Sequence, residues 1–133
     1  MTEAVVDSSA LIFALTTRSV AAANVARQFA DTRCHAPHLV DVECGSALRK
    51  LVRRGELTDG QGYSALISAA LLVDVRYPHD RSLCDFAWQL RNRLSFYDAM
   101  YVALAVRLDV AVKTCDHRLA NAPGLPCRVE LVG

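Results

Sequence analysis

Ala4-Val5-Val6-Asp7-Ser8-Ser9-Ala10-Leu11 is the stretch whose reading decides the fold. A short apolar run, stopped by an acid and two hydroxyl residues, predicts a buried strand feeding a helix from Ala10 to Leu15. The same alternation recurs downstream. Val20 to Ala30 is alanine-rich and reads as a helix, followed by a brief strand, Cys34-His35-Ala36, that Pro37 closes. From His38 to Arg54, Val40, Cys44, Ala47, Leu48 and Leu51 share one helical stripe, and Gly55 ends the helix. Thr58-Asp59 introduces another helix, Leu57 to Ala70. Leu71 to Val75 reads as a strand stopped by Pro78, and Asp80 to Arg91 as a helix. Ser95 opens a helix from Phe96 to Leu108 that is apolar nearly all round, so it should be central and buried. Val110 to Val112 and Arg128 to Val132 supply the last strands. Strands alternating with helices indicate an α/β fold with a mainly parallel sheet, whose ligand sites lie outside the carboxyl ends of the strands.

The 133 residues fit one domain, 1–133, large enough to bury a core without staples. Fifteen basic against fourteen acidic residues leave a net charge of +1, so there is no global pull toward a polyanion. The five cysteines are odd in number and form no C-x-x-C pair, which argues for reduced, mostly buried thiols and a cytoplasmic protein. The N-terminus lacks the basic region of a signal peptide. The longest uncharged stretch, Gly60 to Val73, is fourteen residues, too short to span a bilayer.

Four carboxylates stand out by position. Asp7 and Asp116 each follow a predicted strand, and Asp98 sits in the first turn of the most apolar helix. Singly, each has a structural explanation. Asp7 and Asp116 read as helix N-caps, and Ser95-Phe96-Tyr97-Asp98 matches a capping box. Glu43 caps nothing; it lies inside a helix, at the edge of the apolar stripe, and could simply pair with Lys50 or Arg54. Ser8 and Ser9 beside Asp7, and Thr114 before Asp116, are candidates to orient these acids, Thr114 by bonding the Asp116 carboxylate. Taken together, acids gathered at one end of a parallel sheet would repel one another unless a cation compensated them. An all-oxygen ligand set suits Mg²⁺, with Mn²⁺ as a substitute. Such an ion suits in-line hydrolysis of a phosphodiester. Arg49, Lys50, Arg53 and Arg54 form a basic helix face that could follow a nucleic-acid backbone; Arg118 near Asp116, and Arg91 with Arg93, are further candidates.

These residues resemble a known family. Val5-Val6-Asp7-Ser8-Ser9-Ala10-Leu11 resembles the opening strand and first acid of PIN domains, and Val42-Glu43 the second acidic position. Leu94-Ser95-Phe96-Tyr97-Asp98-Ala99-Met100-Tyr101-Val102-Ala103-Leu104-Ala105 is similar to the third acidic motif almost throughout, and Thr114-Cys115-Asp116-His117-Arg118-Leu119 resembles the T-x-D motif. Length and motif style are similar to the VapC-type toxins of bacterial toxin–antitoxin pairs. The resemblance implies a PIN-like three-layer α/β/α sandwich and a Mg²⁺- or Mn²⁺-dependent endoribonuclease, with Asp7, Glu43, Asp98 and Asp116 around the metal. It also implies a homodimer and a cognate VapB-type antitoxin whose tail occupies the acidic pocket, together a heterotetramer or larger. A catalytically silent PIN-fold interaction module is the alternative.

Other signals are discounted. Gly60-Gln61-Gly62-Tyr63-Ser64-Ala65 follows a helix end rather than a strand, which is the wrong context for a dinucleotide loop. Cys34, His35 and His38 lack a second ligand pair at zinc spacing. A phosphorylated receiver would need an acceptor Asp after its third strand, where only Asp74, within the predicted strand, is available; Lys113 alone does not make one. Trp88 and Tyr101 read as core or interface residues.

Overall fold

A computed structural model describes residues 2–133. Five strands form one sheet: β1 (Thr2–Val6), β2 (Thr32–Pro37), β3 (Val75–Tyr77), β4 (Ala111–Thr114) and β5 (Val129–Leu131). The order is β3-β2-β1-β4-β5, and every pairing is parallel. Seven helices accompany them: α1 (Ser8–Thr16), α2 (Val20–Ala30), α3 (Leu39–Arg53), α4 (Asp59–Leu72), α5 (Arg81–Gln89), α6 (Phe96–Leu108) and α7 (His117–Ala120). The chain runs outward from β1 through β2 to β3, then crosses back to β4 on the other side of β1. That reversal puts a crevice at the carboxyl ends of β1 and β4, where Val6 pairs with Lys113.

Helices α1 to α4 pack on one another, while α5 packs on α6. The two groups flank the sheet as the outer layers of an α/β/α sandwich. As its all-round apolarity predicts, α6 is central: Ala99 through Leu104 and Ala105 are buried, and the helix touches β1, β2 and β4. The core is continuous from Val5, Val6 and Leu11 through Phe29 and Val40 to Leu104 and Val112. Cys34 and Cys44 are part of it, and burial pushes both thiols up to about 12, leaving them chemically quiet.

Local chemistry explains the element ends. Asp7, Ser19, Asp80 and Ser95 each cap a helix through the side chain, and Thr58 with Gln61 forms a full capping box. Gly55 takes φ +76 just past α3, a left-handed turn that a side chain would strain. Gly62 serves packing, not phosphate binding: a Cβ there would lie 2.6 Å from Val52 Cγ2, so its absence lets α4 close onto α3.

One sequence expectation needs correction, and two details lie beyond it. Leu71 and Leu72 finish α4, and the strand starts only at Val75, so Asp74 precedes β3 and accepts from the Cys34 N–H at 2.8 Å. The α7 turn after Asp116 was not anticipated. His35 belongs to a strand network, held by Glu3 Oε1 and Tyr77 Oη at 2.8 Å each, while His38 is the N-cap residue of α3. No helix of the described residues is long and apolar enough to cross a membrane.

Candidate active site at the β1–β4 crevice

Asp7 leaves the end of β1 almost fully buried, with 5% of its surface exposed. Its Oδ1 accepts from Ala10 N at 3.0 Å, which is the anticipated N-cap, and from Ser9 Oγ at 2.7 Å. Its Oδ2 accepts from the hydroxyl of Thr114, the last residue of β4, at 2.5 Å. Each hydroxyl has one proton, and both are committed to Asp7. The 3.2 Å approach of Ser9 Oγ to Thr114 Oγ1 is therefore close packing rather than a third bond. The acceptor sides of the same hydroxyls bind the next loop: Ser9 Oγ takes Cys115 N at 2.9 Å and Thr114 Oγ1 takes Asp116 N at 3.0 Å. Thr114 thus orients the Asp7 carboxylate and the Asp116 backbone. The expectation that it binds the Asp116 carboxylate is wrong, because its only proton points the other way.

Asp116 caps α7, its Oδ1 accepting from Arg118 N at 2.9 Å. Asp98 stands in the first turn of α6, half-buried. Ser95 Oγ accepts from Asp98 N at 3.1 Å, but the return bond that completes a capping box at Thr58–Gln61 is not formed at Ser95–Asp98. The Asp98 carboxylate lies within the field of Asp7 and Asp116. Glu43, on α3, does not pair with Lys50 or Arg54. Its Oε1 accepts from the Tyr101 hydroxyl on α6 at 2.5 Å, a bond joining the two helical groups across the end of the sheet. Tyr101 is 1% exposed, so this hydroxyl is a fixed donor. Sequence reasoning missed that role: Tyr101 lies one helical turn after Asp98, but its apolar surroundings mark it only as core.

The electrostatics tie the four acids together. Burial raises Asp7 above the usual carboxylate range, against the hydrogen bonds from Thr114, Ala10 and Ser9, and Asp98 raises it further. Glu43 is raised by burial and then by Asp7 and Asp98, opposed by Tyr101 and Ser8. Asp98 is raised by burial and by Asp116, opposed by Ser95 and Arg118. Each carboxylate therefore sits within the field of another. The cation beside them, Arg118, is 93% exposed and reaches Asp116 at only 3.7 Å. Among the described residues no three His, Cys, Asp or Glu side chains close into a ready-made cation cage. A donor set of spaced oxygens under mutual repulsion fits Mg²⁺, which keeps several of its own waters, better than Zn²⁺, which wants a tight nitrogen or sulfur cluster.

Beside the acids runs a groove of about 540 Å³, lined on one wall by the α3 residues Glu43, Ser46, Ala47, Lys50 and Arg54. Their spacing of three and four residues is one helix face. Ser8 and Tyr97 close its acidic end. Arg49 and Arg53 are turned about 100° away, into a separate pocket between α3 and α4 with Tyr63. The expected basic face is thus split, and only Lys50 and Arg54 face the groove. Arg91 is also occupied, lying 5.0 Å over the Trp88 ring, and Arg93 donates to Gly124 O.

The PIN domain profile matches residues 4–125. The chain is 46% identical to Ribonuclease VapC1 of Mycobacterium tuberculosis over 99% of both chains, and 40% identical to Ribonuclease VapC9 of the same organism over 96% of this chain and 97% of that one. Its fold superposes with a TM-score of 0.73 on a chain of VapBC2 from Rickettsia felis, solved with a DNA fragment from their promoter, covering 99% of this chain and 100% of that one at 11% identity. Sequence and fold agree: the chain belongs to the PIN-domain family, among the VapC ribonucleases.

Proposed function

We propose that the chain is a Mg²⁺-dependent endoribonuclease, with Mn²⁺ able to substitute, and the toxin of a VapBC-type pair in the cytoplasm. The observation that carries the reading is the set of coupled acids, Asp7, Glu43, Asp98 and Asp116, at the carboxyl ends of β1 and β4, where the neighbouring base is the exposed Arg118, 3.7 Å from Asp116. A divalent ion bound there would supply positive charge for a phosphoryl oxygen and a water of lowered pKa.

The chain's own groups do the rest. Thr114 and Ser9 hold both Asp7 oxygens in one orientation, and Tyr101 holds Glu43. Asp98, in the first turn of α6, and Asp116, steadied through its backbone by Thr114, would complete the ligand set. Glu43 or Asp116 would accept the proton of the attacking water. Lys50 and Arg54, which line the groove, would meet the phosphates of a bound strand. The names of the relatives support the ribonuclease reading, and VapBC2 among the fold relatives supports a VapB-type antitoxin as partner; in this proposal the chain is a homodimer and the antitoxin blocks its acidic crevice.

Mapping cleavage sites on total RNA tests this. Discrete cuts that appear with Mg²⁺ or Mn²⁺ and vanish with EDTA are expected. Intact RNA under all metals, from a folded protein, would leave the silent interaction module in its place.

A further inference from the structure

Tyr97 has no task in the scheme above, and among the exposed rings Tyr63, Trp88, Phe96 and Tyr97 it is the one that lines the groove beside Glu43. It immediately precedes Asp98, lines the same groove as Ser8 and Glu43, and is 60% exposed. Tyr101, one turn on, is buried and bonded to Glu43. The same helix therefore sends one tyrosine into the core and one into the open groove. The wall on α3 offers Leu39, Val42, Ser46, Ala47 and Leu51, with Lys50 and Arg54 one turn apart at its far end. Neither cation forms an ion pair among the described residues. From Glu43 to Arg54 the helix rises about 16 Å, the span of a few nucleotides. An exposed ring next to the acids, followed by unpaired cations, matches the way proteins hold single-stranded nucleic acid: a base stacks on the aromatic face while the phosphates meet the charges.

We propose that Tyr97 is a substrate-positioning residue, stacking an unpaired RNA base that flanks the scissile phosphate, with Lys50 and Arg54 holding phosphates farther along the groove. This rests on the ribonuclease reading.

The test uses the full chain and a single-stranded oligoribonucleotide spanning the strongest cut mapped in total RNA, with 2-aminopurine placed beside the cut to report stacking by loss of fluorescence. Tyr97→Phe should keep the quenching and the wild-type KM. Tyr97→Ala should lose the quenching and raise KM about tenfold, with kcat changed far less. Lys50→Ala should raise KM and flatten its salt dependence while leaving the quenching intact. Because Tyr97 is mostly exposed, unchanged thermal melting is expected and verifies folding. Equal KM and quenching for Tyr97→Ala and wild type would overturn the proposal while leaving the ribonuclease reading standing. Loss of affinity only for a co-expressed antitoxin would overturn it too, assigning the groove to a peptide. If the wild type cuts no RNA with any divalent ion, the ribonuclease reading fails and takes this proposal with it.

Discussion

Acids at the β1–β4 crevice and acids elsewhere on the molecule are treated in opposite ways. Asp41 receives Arg76 through two hydrogen bonds of 2.6 and 2.9 Å, Asp80 receives Arg107 at 2.8 and 3.1 Å, and Glu130 pairs with Lys113. Arg107 holds Asp80 below the usual carboxylate range, and Lys113 does the same for Glu130. In the crevice, burial and neighbouring acids push Asp7, Glu43 and Asp98 the other way, against hydroxyl donors, the Ala10 N–H on Asp7 and the more distant charge of Arg118 near Asp98. Hydroxyls orient carboxylates without cancelling their charge. Asp41, Asp80 and Glu130 are each matched by a base, whereas Asp7, Glu43 and Asp98 are pressed together with their charges uncancelled.

The contrast can be broken most strongly at Asp98. Asp98→Asn should cut RNA cleavage by more than about 100-fold, beyond what loss of a supporting group costs. With no metal present, the same variant should melt at a higher temperature than wild type, since a repelling charge is gone. The pH sign agrees. A carboxyl raised on folding contributes stability that is present below its unfolded value, near 3.8 for Asp98, and is lost as pH rises through its folded value. The melting-temperature gain of Asp98→Asn should therefore be largest at neutral pH and shrink on acidification.

Next in size is Thr114→Val, which keeps the shape of a fully buried side chain but removes the donor to Asp7 and the acceptor for Asp116 N. Cleavage should fall roughly 10- to 100-fold, with a matching loss of metal affinity. Tyr101→Phe removes only the hydroxyl on Glu43, and a loss of about tenfold is expected in metal titrations and in cleavage. Smallest is Arg76→Gln at a balanced acid. It should cost about 1 kcal/mol in denaturant unfolding and leave cleavage per folded molecule unchanged. An activity loss there as large as at Thr114 would erase the distinction between the two regions.

Much of this was legible in the sequence, for identifiable reasons. Asp7 and Asp116 follow short apolar runs, so a parallel sheet brings them to one edge, and the continuous apolarity of Phe96–Leu108 marks α6 as central. Leu71 and Leu72 were misread because a short apolar run fits a strand or a buried helix end equally well. The direction of the Thr114 proton was beyond sequence, since it depends on which partner the β1–β4 register brings close. The pairing of Tyr101 with Glu43 joins residues 58 apart on opposite layers, so no local pattern announces it. The basic face of α3 divided because Arg49 and Arg53 follow the stripe facing α4, while Lys50 and Arg54 follow the stripe facing the groove.

Calorimetric titration of metal-free protein with Mn²⁺ addresses the charge balance most directly. Saturable binding is expected for the wild type, with proton release that grows on moderate acidification, because raised carboxyls must ionise to bind; Asp98→Asn should bind much more weakly. Wild type and Asp98→Asn binding Mn²⁺ equally, or neither binding it, would contradict the account.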